Sequence, residues 1–564
     1  KEATHNSSFQ IIGKADINYS ICALRNMPYA GLIRVNVKVL SDMSLKVAAR
    51  MDVPQEYSQS TQRFRKMRAD ATQMYMLQSY ATSTHRQQEV SASSAFIFDE
   101  DKATEVLYDE MDKEIFFTMK LRKGDSLSFA LIGSVCSTRD FSDPYNEAER
   151  QVIYAIHEGT DALMVAHCRL WNELWESDIL IEGDDEAQRV VRFALFNLYS
   201  SCREGSRLSI SPMGLSSQGY NGHIFWDSEL WMFPPMLMLN KGIAKSMIDY
   251  RIDRLVPARK KAMAYGYKGA MFPWESDDYG EESTPTFALT GPLEHHVTAD
   301  ISIACWNYYC LTRDEQWLRT KAFSLMKEVA DFWASRVERN DDGSYSIRNV
   351  VGADEYANGI DDNAFTNAAV IRALEYACEA ATICNEPVPE IWKEISRNIC
   401  ILRFKDGVTR EHATYDGEMI KQADVNLLGY PLYFITDAKA QKKDMEYYAD
   451  RIDPQNGPAM SYSIFCVQYA RMGDVKRAYE MFCRCYQPNL RAPFGVLAET
   501  ATSDNPYFMT GAGGLLQAVI NGFCGLQITD SGIVQLPSSL PEHWKKVIVK
   551  GIGPEKKAYV RENR

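Results

Sequence analysis

The sequence lacks the cysteine patterns of a zinc protein or a disulfide framework. Its 13 cysteines are scattered, and no group of Cys and His residues has the spacing of a zinc site. Cys483 and Cys485 stand too close together for a zinc knuckle. An odd number of cysteines without regular spacing instead indicates reduced, buried thiols. We therefore expect no metal site.

Long apolar runs and an excess of positive charge are also missing. The longest apolar run, LWMFPPMLML at residues 230–239, is shorter than the roughly 20 residues that cross a bilayer, and two prolines interrupt it. The net charge is −13, whereas a nucleic-acid partner requires clustered Lys and Arg. We expect neither a membrane span nor a nucleic-acid partner. No signal peptide is visible, but the chain starts at Lys1, so it is periplasmic or secreted if a leader was removed and cytoplasmic otherwise.

The 564 residues are enough for two or three domains, and the first of them reads as strands. Four segments within residues 1–147 alternate apolar and polar side chains between Gly, Asp and Ser turns: GLIRVNVKVL, SLKVAARMDV, EIFFTMKL and SLSFALIGSV. Alternation with period two predicts half-buried strands. We predict an N-terminal β-sandwich over residues 1–147.

Helical periodicity dominates from about residue 146 to residue 525. One helix is predicted near 146–175, with an apolar stripe that includes Ile153, Ile156 and Val165. We assign residues 148–185 to a helical linker and residues 186–525 to a helical domain. No strict sequence repeat is visible, so a closed barrel of helical hairpins is favoured over a solenoid. Residues 526–564 return to a strand pattern and are predicted to form a small C-terminal sheet.

The residues suited to chemistry lie in the loops between these helices. Six loops combine Trp, carboxylate and amide side chains: GYNGHIFWDSELW, MFPWESDDYGEES, GPLEHHVTAD, GADEYANGIDDN, KQADV and LAETATSDNPYFMTGAGG. Rings that stack on a sugar face, with carboxylates and amides that bind hydroxyl groups, form a typical sugar pocket.

Glu355 in the loop GADEYANGIDDN is a candidate general acid. A glycosidase requires one carboxyl group that protonates the leaving oxygen and a second that activates water. The alternative is that Asp354, Glu355, Asp361 and Asp362 form a solvated turn that caps the next helix. A calcium site is disfavoured, because the EF-hand spacing is absent.

Glu499 is the candidate for the second carboxyl group. It follows the apolar run Phe494–Ala498, which would present it at the edge of a buried segment. The alternative is an acid that caps a helix. The nearby residues Gly511–Gly514 could cradle a phosphate, although a close approach to a neighbouring element explains them equally well.

Two loops pair a ring with an acid. These pairs are Trp226 with Asp227, next to Phe225 in HIFWDSE, and Trp274 with Glu275 in FPWES. Such pairs can stack a sugar and bind its hydroxyl groups, or the Trp side chains can simply belong to the core.

Two further features of these loops need an assignment. Lys421 and Gln422 could bind ring hydroxyls or form an exposed helix start. His223, His295 and His296 lack the spacing of metal ligands.

Taken together, these loops resemble glycoside hydrolase family 65, in the motifs GHIFWDSE, FPWES, EHHVTADI, GADEYANGIDDNAFTN and KQADV. The resemblance implies an (α/α)6 barrel between an N-terminal β-sandwich with a linker helix and a small C-terminal sheet. It implies that Glu355 is the general acid, although Ala353 and Ala357 replace the Pro and His that are common in the family motif. The relatives' sandwich is longer, so the N-terminus of this chain could be truncated.

The resemblance also implies roles for the other loop residues. A donor glucose pocket would contain Trp226, Asp227, Trp274, Lys421 and Gln422, and Glu275 would face the acceptor. Glu499 stands in LAET, as in the hydrolytic members, and would be the general base. Asp354 would support the loop or contact a hydroxyl group.

The implied function is that of an inverting exo-α-glucosidase without a cofactor, favouring the α-1,2 linkage of kojibiose used by bacterial hydrolases of the family. The substrate would be a small α-glucoside. Phosphorolysis remains an alternative, since Thr500, Thr502, Ser503 and Thr510 could hold phosphate, as does a non-catalytic sugar-binding protein. Nigerose, maltose, trehalose and a glucosyl-galactose unit on hydroxylysine remain candidate substrates, and homodimer formation is left open.

Overall fold

The computed structural model describes residues 2–53, 57–69, 72–84, 88–98 and 104–563. The chain divides into two compact units, Lys1–Glu176 and Ser177–Arg564. Across these described ranges, no helix combines the length and the hydropathy that a bilayer crossing demands.

The first unit contains two antiparallel sheets, as the alternating segments predict. One sheet has the order β1-β2-β3-β10-β7-β6-β5 and the other the order β4-β9-β8. Side chains from both sheets share one apolar core, which includes Val37, Phe96, Phe117 and Phe129. The strands are β1 (His5–Ile11), β2 (Ala15–Ala23), β3 (Ala30–Val39), β4 (Met43–Arg50), β5 (Tyr57–Ala69), β6 (Thr72–Ser83), β7 (Glu89–Phe98), β8 (Leu107–Asp109), β9 (Glu114–Leu121) and β10 (Ser126–Ser137).

The predicted single linker helix is wrong in two respects. There are two helices, α1 (Pro144–Glu158) and α2 (Thr160–Leu174), and Gly159 between them has a φ of 79°, which favours glycine. Val152, Ala155 and Leu163 pack into the core of the first sheet, so these helices belong to the first unit. Val165, predicted in the apolar stripe, is 70% exposed, because the break at Gly159 changes the register of the second helix.

The second unit is mainly helical. Helices α8, α11, α14 and α16 are buried along most of their length, whereas α12 and α15 bury only one side. The helices are α3 (Asp185–Ser201), α4 (Phe233–Leu239), α5 (Lys241–Asp253), α6 (Leu255–Ala264), α7 (Thr290–Leu293), α8 (His296–Thr312), α9 (Glu315–Trp317), α10 (Phe323–Arg336), α11 (Ala364–Cys384), α12 (Glu390–Asn398), α13 (Ala438–Tyr448), α14 (Ser461–Met472), α15 (Val475–Arg484) and α16 (Met509–Gln517).

Short helical turns extend or connect these helices. The π-helical turns are Ser228–Met232, Leu318–Ala322 and Ala518–Phe523, and the 3-10 turns are Gly219–Gly222, Val425–Leu428 and Gln487–Asn489.

The short sheets of the second unit include one that the predicted boundaries missed. Asp178–Glu182, predicted within the helical linker, is a strand that pairs with Lys546–Ile552 near the other end of the unit. The strands are β11 (Asp178–Glu182), β12 (Glu338–Arg339), β13 (Tyr345–Ser346), β14 (Leu490–Arg491), β15 (Val496–Leu497), β16 (Leu526–Thr529), β17 (Gly532–Gln535), β18 (Lys546–Ile552) and β19 (Lys557–Glu562). The C-terminal sheet has the order β11-β18-β19, and β16 and β17 form a separate hairpin.

Candidate active site

One pocket in the second unit brings together the nine residues assigned from the sequence to the acid, the base and sugar binding. Its volume is about 200 Å³, which is small beside the roughly 300–1,000 Å³ of sites for drug-sized ligands. The candidates in its wall are Phe225, Trp226, Asp227, Trp274, Glu275, Glu355, Lys421, Gln422 and Glu499. Several of the wall residues directly precede a buried helix, as Met460 precedes α14 and Phe508 precedes α16. Helix N-termini carry a partial positive charge, which favours carboxylates there.

Aromatic rings form one wall of the pocket. The ring centroids of Trp226 and Trp274 lie 6.4 Å apart, and Phe225 meets Trp274 edge-on at 5.8 Å. The two loops are joined by an antiparallel bridge in which Ile224 and Ser276 exchange backbone hydrogen bonds of 2.9 Å. The Trp residues are therefore both part of the core and part of the pocket wall.

Glu355 meets two donors at one of its oxygens. Lys421 Nζ lies 3.0 Å from Oε1, and Gln422 Nε2 donates to the same atom at 3.1 Å. No residue in the described ranges donates to Oε2. Burial opposes the charge on Lys421, but the facing Glu355 carboxylate, with Glu499 and Glu294, raises the pKa of its ammonium group.

Asp354 supports the loop, as expected from the resemblance. Its Oδ1 accepts from the backbone N–H of Lys421 at 2.6 Å and of Tyr356 at 3.3 Å. The neighbouring acids do not cap the next helix, since Asn363 accepts from the backbone of Thr366 at its start. Gly352 allows the loop to approach Asn363 closely, because a Cβ atom at this position would lie 2.3 Å from the Asn363 amide nitrogen.

Glu499 is held by a tyrosine hydroxyl and by its own backbone. Tyr220 Oη donates to Glu499 Oε1 at 2.7 Å. The backbone carbonyl of Glu499 accepts from Ala459 N at 2.9 Å and from Asn489 Nδ2 at 3.1 Å. Burial and the adjacent Glu499 carboxylate raise the pKa of Tyr220, so its hydroxyl remains a donor. Oε2 of Glu499 receives no donor within the part of the chain that the structure describes.

Asp227 is a buried acid in the pocket wall. It accepts from Thr510 Oγ1 at 2.6 Å, and burial raises its pKa to about 7, partly offset by that hydrogen bond. A carboxylate in this position can accept hydrogen bonds from sugar hydroxyl groups.

The glycines at 511–514 do not form a phosphate cradle. They lie inside α16, where a Cβ atom at Gly513 would lie 2.5 Å from the carbonyl oxygen of Trp231, and one at Gly514 would lie 3.0 Å from Met460. Close approach of neighbouring elements therefore explains these glycines.

Glu275 lies at the pocket wall beside His223, whose Nδ1 is 3.0 Å from Glu275 Oε2. Its loop is fixed by Glu282, which accepts from the backbone N–H groups of Trp274 at 3.0 Å and of Glu275 at 3.2 Å. Lys261 also contacts Glu282, at 2.5 Å.

His296 lies between two buried acidic side chains. Its ring contacts Asp300 at 2.8 Å and Glu294 at 3.0 Å, and it packs edge-on against Trp226. Burial alone would lower the pKa of His296, but the two facing carboxylates raise it to about 10. For His295, burial and the nearby Arg336 lower the pKa to about 3. Within the described ranges, no group of three or more His, Cys, Asp or Glu side chains is placed to hold a metal ion.

Several supporting residues were not predicted from the sequence, namely Tyr220, Glu282 and Thr510 as hydrogen-bond partners and Glu411 as a buried acid. Tyr220 stands in the motif GYNGHIFWD, and its φ of 56° places it in a tight left-handed turn. The Tyr-Asn-Gly sequence is a recognisable turn signal. Nothing local to the sequence indicates that the turn directs the hydroxyl group towards Glu499, which is distant in the chain.

Comparisons with known proteins identify the family of the chain. Residues 192–419 match the glycosyl hydrolase family 65 central catalytic domain, and residues 13–174 match the N-terminal domain of the same family. The chain is 47% identical to kojibiose hydrolase of Flavobacterium johnsoniae, over 99% of this chain and 83% of that protein. It is 46% identical to kojibiose hydrolase of Mucilaginibacter mallensis, over 99% of this chain and 84% of that protein.

For more distant relatives, the match with this chain covers a smaller share of the relative. Protein-glucosylgalactosylhydroxylysine glucosidase of Dictyostelium discoideum is 38% identical over 75% of this chain and 60% of that protein. A solved structure from the human microbiome, whose description assigns it to kojibiose phosphorylase, has a TM-score of 0.81 at 18% identity. It covers 100% of this chain and 80% of that chain, and at this identity it supports the fold alone.

The chain belongs to glycosyl hydrolase family 65. The resemblance found in the sequence motifs is thereby confirmed, and the protein is a glycoside hydrolase.

Proposed function

We propose that this protein is an inverting exo-α-glucosidase that releases β-glucose from α-1,2-linked glucosides such as kojibiose. The observation that carries the proposal is the small pocket, in which Glu355 and Glu499 have separate hydrogen-bond partners and each keeps one oxygen without a donor in the described chain. The names of the two relatives that match nearly the whole chain support hydrolysis and the kojibiose linkage.

We further propose that the helical domain is an (α/α)6 barrel within residues 186–525. Buried segments alternate along the chain with helices that bury one side. The buried segments touch in a closed order, in which α4 contacts α8, α8 contacts α11, α11 contacts Val425–Leu428, that turn contacts α14, and α14 contacts α16. Helix α16 contacts α4 in turn, which would close the ring.

In the proposed mechanism, Glu355 Oε2 gives its proton to the glycosidic oxygen while the bond to the anomeric carbon breaks. Glu499 Oε2 takes a proton from a water molecule that attacks the opposite face of the sugar. Inversion requires the two carboxyl groups to be about 6.5–9.5 Å apart, which leaves room for the water. Lys421 and Gln422 both contact Glu355 Oε1. In the proposed mechanism this leaves Oε2 to carry the proton and to contact the glycosidic oxygen of the substrate.

Hydrolysis is favoured over phosphorolysis by the hydroxyl groups near Glu499. Thr510 donates a hydrogen bond to Asp227, and Thr502 donates one to the carbonyl oxygen of Gln455 at 3.2 Å. Thr500 Oγ1 accepts from the backbone N–H of Ser503 at 3.0 Å. The hydroxyl groups of Thr510 and Thr502 therefore already donate to protein acceptors, and the Glu499 carboxylate would repel a phosphate anion.

The substrate-binding roles follow from the pocket wall. Trp226, Trp274 and Phe225 would contact the sugar ring, and Asp227, Lys421 and Gln422 would bind the hydroxyl groups of one terminal glucose. Glu275 and its partner His223 would face the acceptor sugar. Acceptor preference then depends on a few contacts, each worth about 1–3 kcal/mol.

The proposal is tested by comparing kojibiose, nigerose, maltose, isomaltose and trehalose, each with and without inorganic phosphate. Proton NMR follows the anomer of the glucose that appears first. We expect the highest kcat/KM for kojibiose, β-glucose as the first product and no effect of phosphate. Glucose 1-phosphate formation would instead establish a phosphorylase. Higher kcat/KM for trehalose or maltose would remove the α-1,2 assignment, and α-glucose as first product would remove inversion.

The hydrogen bond from Tyr220 to Glu499 gives a further prediction. Tyr220→Phe removes a hydrogen bond to a charged group, worth about 1.5–3 kcal/mol. We expect kcat for kojibiose to fall about tenfold or more, because Glu499 loses its fixed orientation, while KM changes little. Steady-state kinetics of the purified variant measure both constants.

Tyr345→Phe is the matched control, since Tyr345 Oη donates to Glu394 Oε1 at 2.8 Å outside the pocket wall. It should keep the wild-type kcat. Equal kinetics of the two variants would show that the Tyr220 hydroxyl does not act on catalysis.

A further inference from the structure

Glu411 is a buried carboxyl group to which the proposed mechanism gives no role. Its side chain is fully buried, and neither oxygen accepts a hydrogen bond from any donor in the described residues. Asp424 and Asp354 are its main electrostatic neighbours, and it lies within hydrogen-bond reach of Asp354. Two ionised carboxylates offer only acceptors, so a hydrogen bond between Glu411 and Asp354 requires a proton on one of them.

The surrounding donors indicate which group holds that proton. Asp424 accepts from Asn363 Nδ2 at 2.9 Å and from the backbone N–H of Phe365 at 3.3 Å. Asp354 accepts from two backbone N–H groups, whereas Glu411 accepts from none. Accepted hydrogen bonds stabilise the ionised form of a carboxyl group, and burial without them favours the neutral form. Burial and the two neighbouring acids raise the pKa of Glu411 well above its usual range.

We propose that Glu411 is a neutral carboxylic acid that donates a hydrogen bond to Asp354 and thereby positions the general acid. Asp354 holds the backbone of Lys421, and the Lys421 ammonium holds Glu355. Glu411 is a positioning residue, since it lies outside the pocket wall and acts on Glu355 through these two residues. The proposal rests on the proposed function, in which Glu355 is the general acid.

The other titratable groups that face Glu411 supply no positive charge. They are Tyr415, Tyr448 and Glu418. Burial raises the pKa of both tyrosines, so they stay neutral while Glu411 titrates first as a carboxylic acid. Ionisation of Glu411 at alkaline pH would therefore place an uncompensated anion against Asp354 and break the contact.

The first test compares Glu411→Gln with Glu411→Leu by kcat as a function of pH. Gln retains a donor for Asp354, so its kcat at neutral pH should stay within about twofold of the wild type, whereas Leu should lower kcat at least tenfold. The wild type should lose activity at alkaline pH, and the Gln variant should keep its activity to higher pH. A Gln variant as impaired as the Leu variant, or one with the wild-type alkaline limb, would overturn the proposal.

Asp444→Asn is the matched control for this profile. Asp444 is also a buried carboxyl group, but it has its own donors in the backbone N–H and the hydroxyl of Thr409, both at 2.8 Å. Its substitution should leave the alkaline limb of kcat unchanged. A shift equal to that of Glu411→Gln would show that the effect is not specific to the contact with Asp354, and the proposal would fail.

The second test does not depend on activity. A folded-state pKa above the unfolded value means that the native protein holds a proton that the unfolded chain releases. Glu411 therefore stabilises the wild type fully below the unfolded pKa, and this contribution is lost as pH rises through the folded pKa. Urea unfolding should show that the wild type loses stability relative to Glu411→Gln as pH rises, by up to about tenfold in the folding constant per pH unit for one proton.

Failure of the proposed function can thus be distinguished from failure of the proposal for Glu411. Failure of the wild type to hydrolyse any α-glucoside would overturn the proposed function, while the unfolding series would still report the proton on Glu411. A constant difference in stability between wild type and Glu411→Gln at all pH values would overturn the neutral Glu411.

Discussion

Glu499→Gln is expected to lower kcat for kojibiose by about 10²–10⁴-fold, the range that general base catalysis contributes. The amide cannot take a proton from the attacking water. It has nearly the shape of the carboxyl group, and its oxygen can still accept from Tyr220, so the pocket should keep its form. Glucose release measures turnover, and calorimetry with kojibiose measures binding, which should change little.

A smaller side chain tests the position of the base. In Glu499→Ala, azide can enter the space of the attacking water, and it needs no base to act as a nucleophile. Added azide should therefore restore turnover of a glucosyl fluoride and give a β-glucosyl azide. Glu394→Gln, at the other Tyr–Glu pair, is the control and should keep wild-type activity. Wild-type turnover by Glu499→Gln would refute the assignment of the base.

Glu355→Gln should also lower kcat for kojibiose by about 10²–10⁴-fold, because the leaving sugar oxygen is no longer protonated. Fluoride leaves without a proton, so α-glucosyl fluoride should be hydrolysed by this variant with a far smaller loss. The ratio of the two kcat values between wild type and variant is the measurement. Glu499→Gln should behave differently, because its kcat should fall strongly for both kojibiose and α-glucosyl fluoride.

Asp361→Asn provides the control within the same loop, since Asp361 accepts from the backbone N–H of Asn349 at 2.9 Å and is outside the pocket wall. It should hydrolyse both substrates at nearly the wild-type rate. If Glu355→Gln lost kojibiose and the fluoride to the same extent, Glu355 would not be the proton donor.

Local periodicity predicted those strands whose own sequence alternates apolar and polar side chains. The four alternating segments form β3, β4, β9 and β10. The pattern failed at residues 178–182, where the short run DILIE has no periodic signal that separates a strand from a helix. Its strand partner is β18, far away in the chain, and only tertiary pairing determines its conformation.

The site was predictable where a residue type is required by the chemistry and stands in a family motif. Glu355, Lys421 and Gln422 were named in this way, and the structure places them in contact. Glu411 and Tyr220 could not be named, because an isolated acid or tyrosine in a loop is usually solvated. Their significance comes from burial and from a partner distant in sequence, which a local pattern does not contain.

The pairing of β11 with β18 has a consequence for how the protein is made. Ile181 pairs with Val547, so the first strand of the second unit obtains its partner only after the long intervening segment has been synthesised. Contacts between such distant positions slow folding, because a long loop must close before they form. Until then β11 has an unpaired edge, which is the kind of surface that associates with other nascent chains. Removal of β18 would leave β11 without its one strand partner in the described sheet, so we expect a chain shortened before β18 to fold less efficiently.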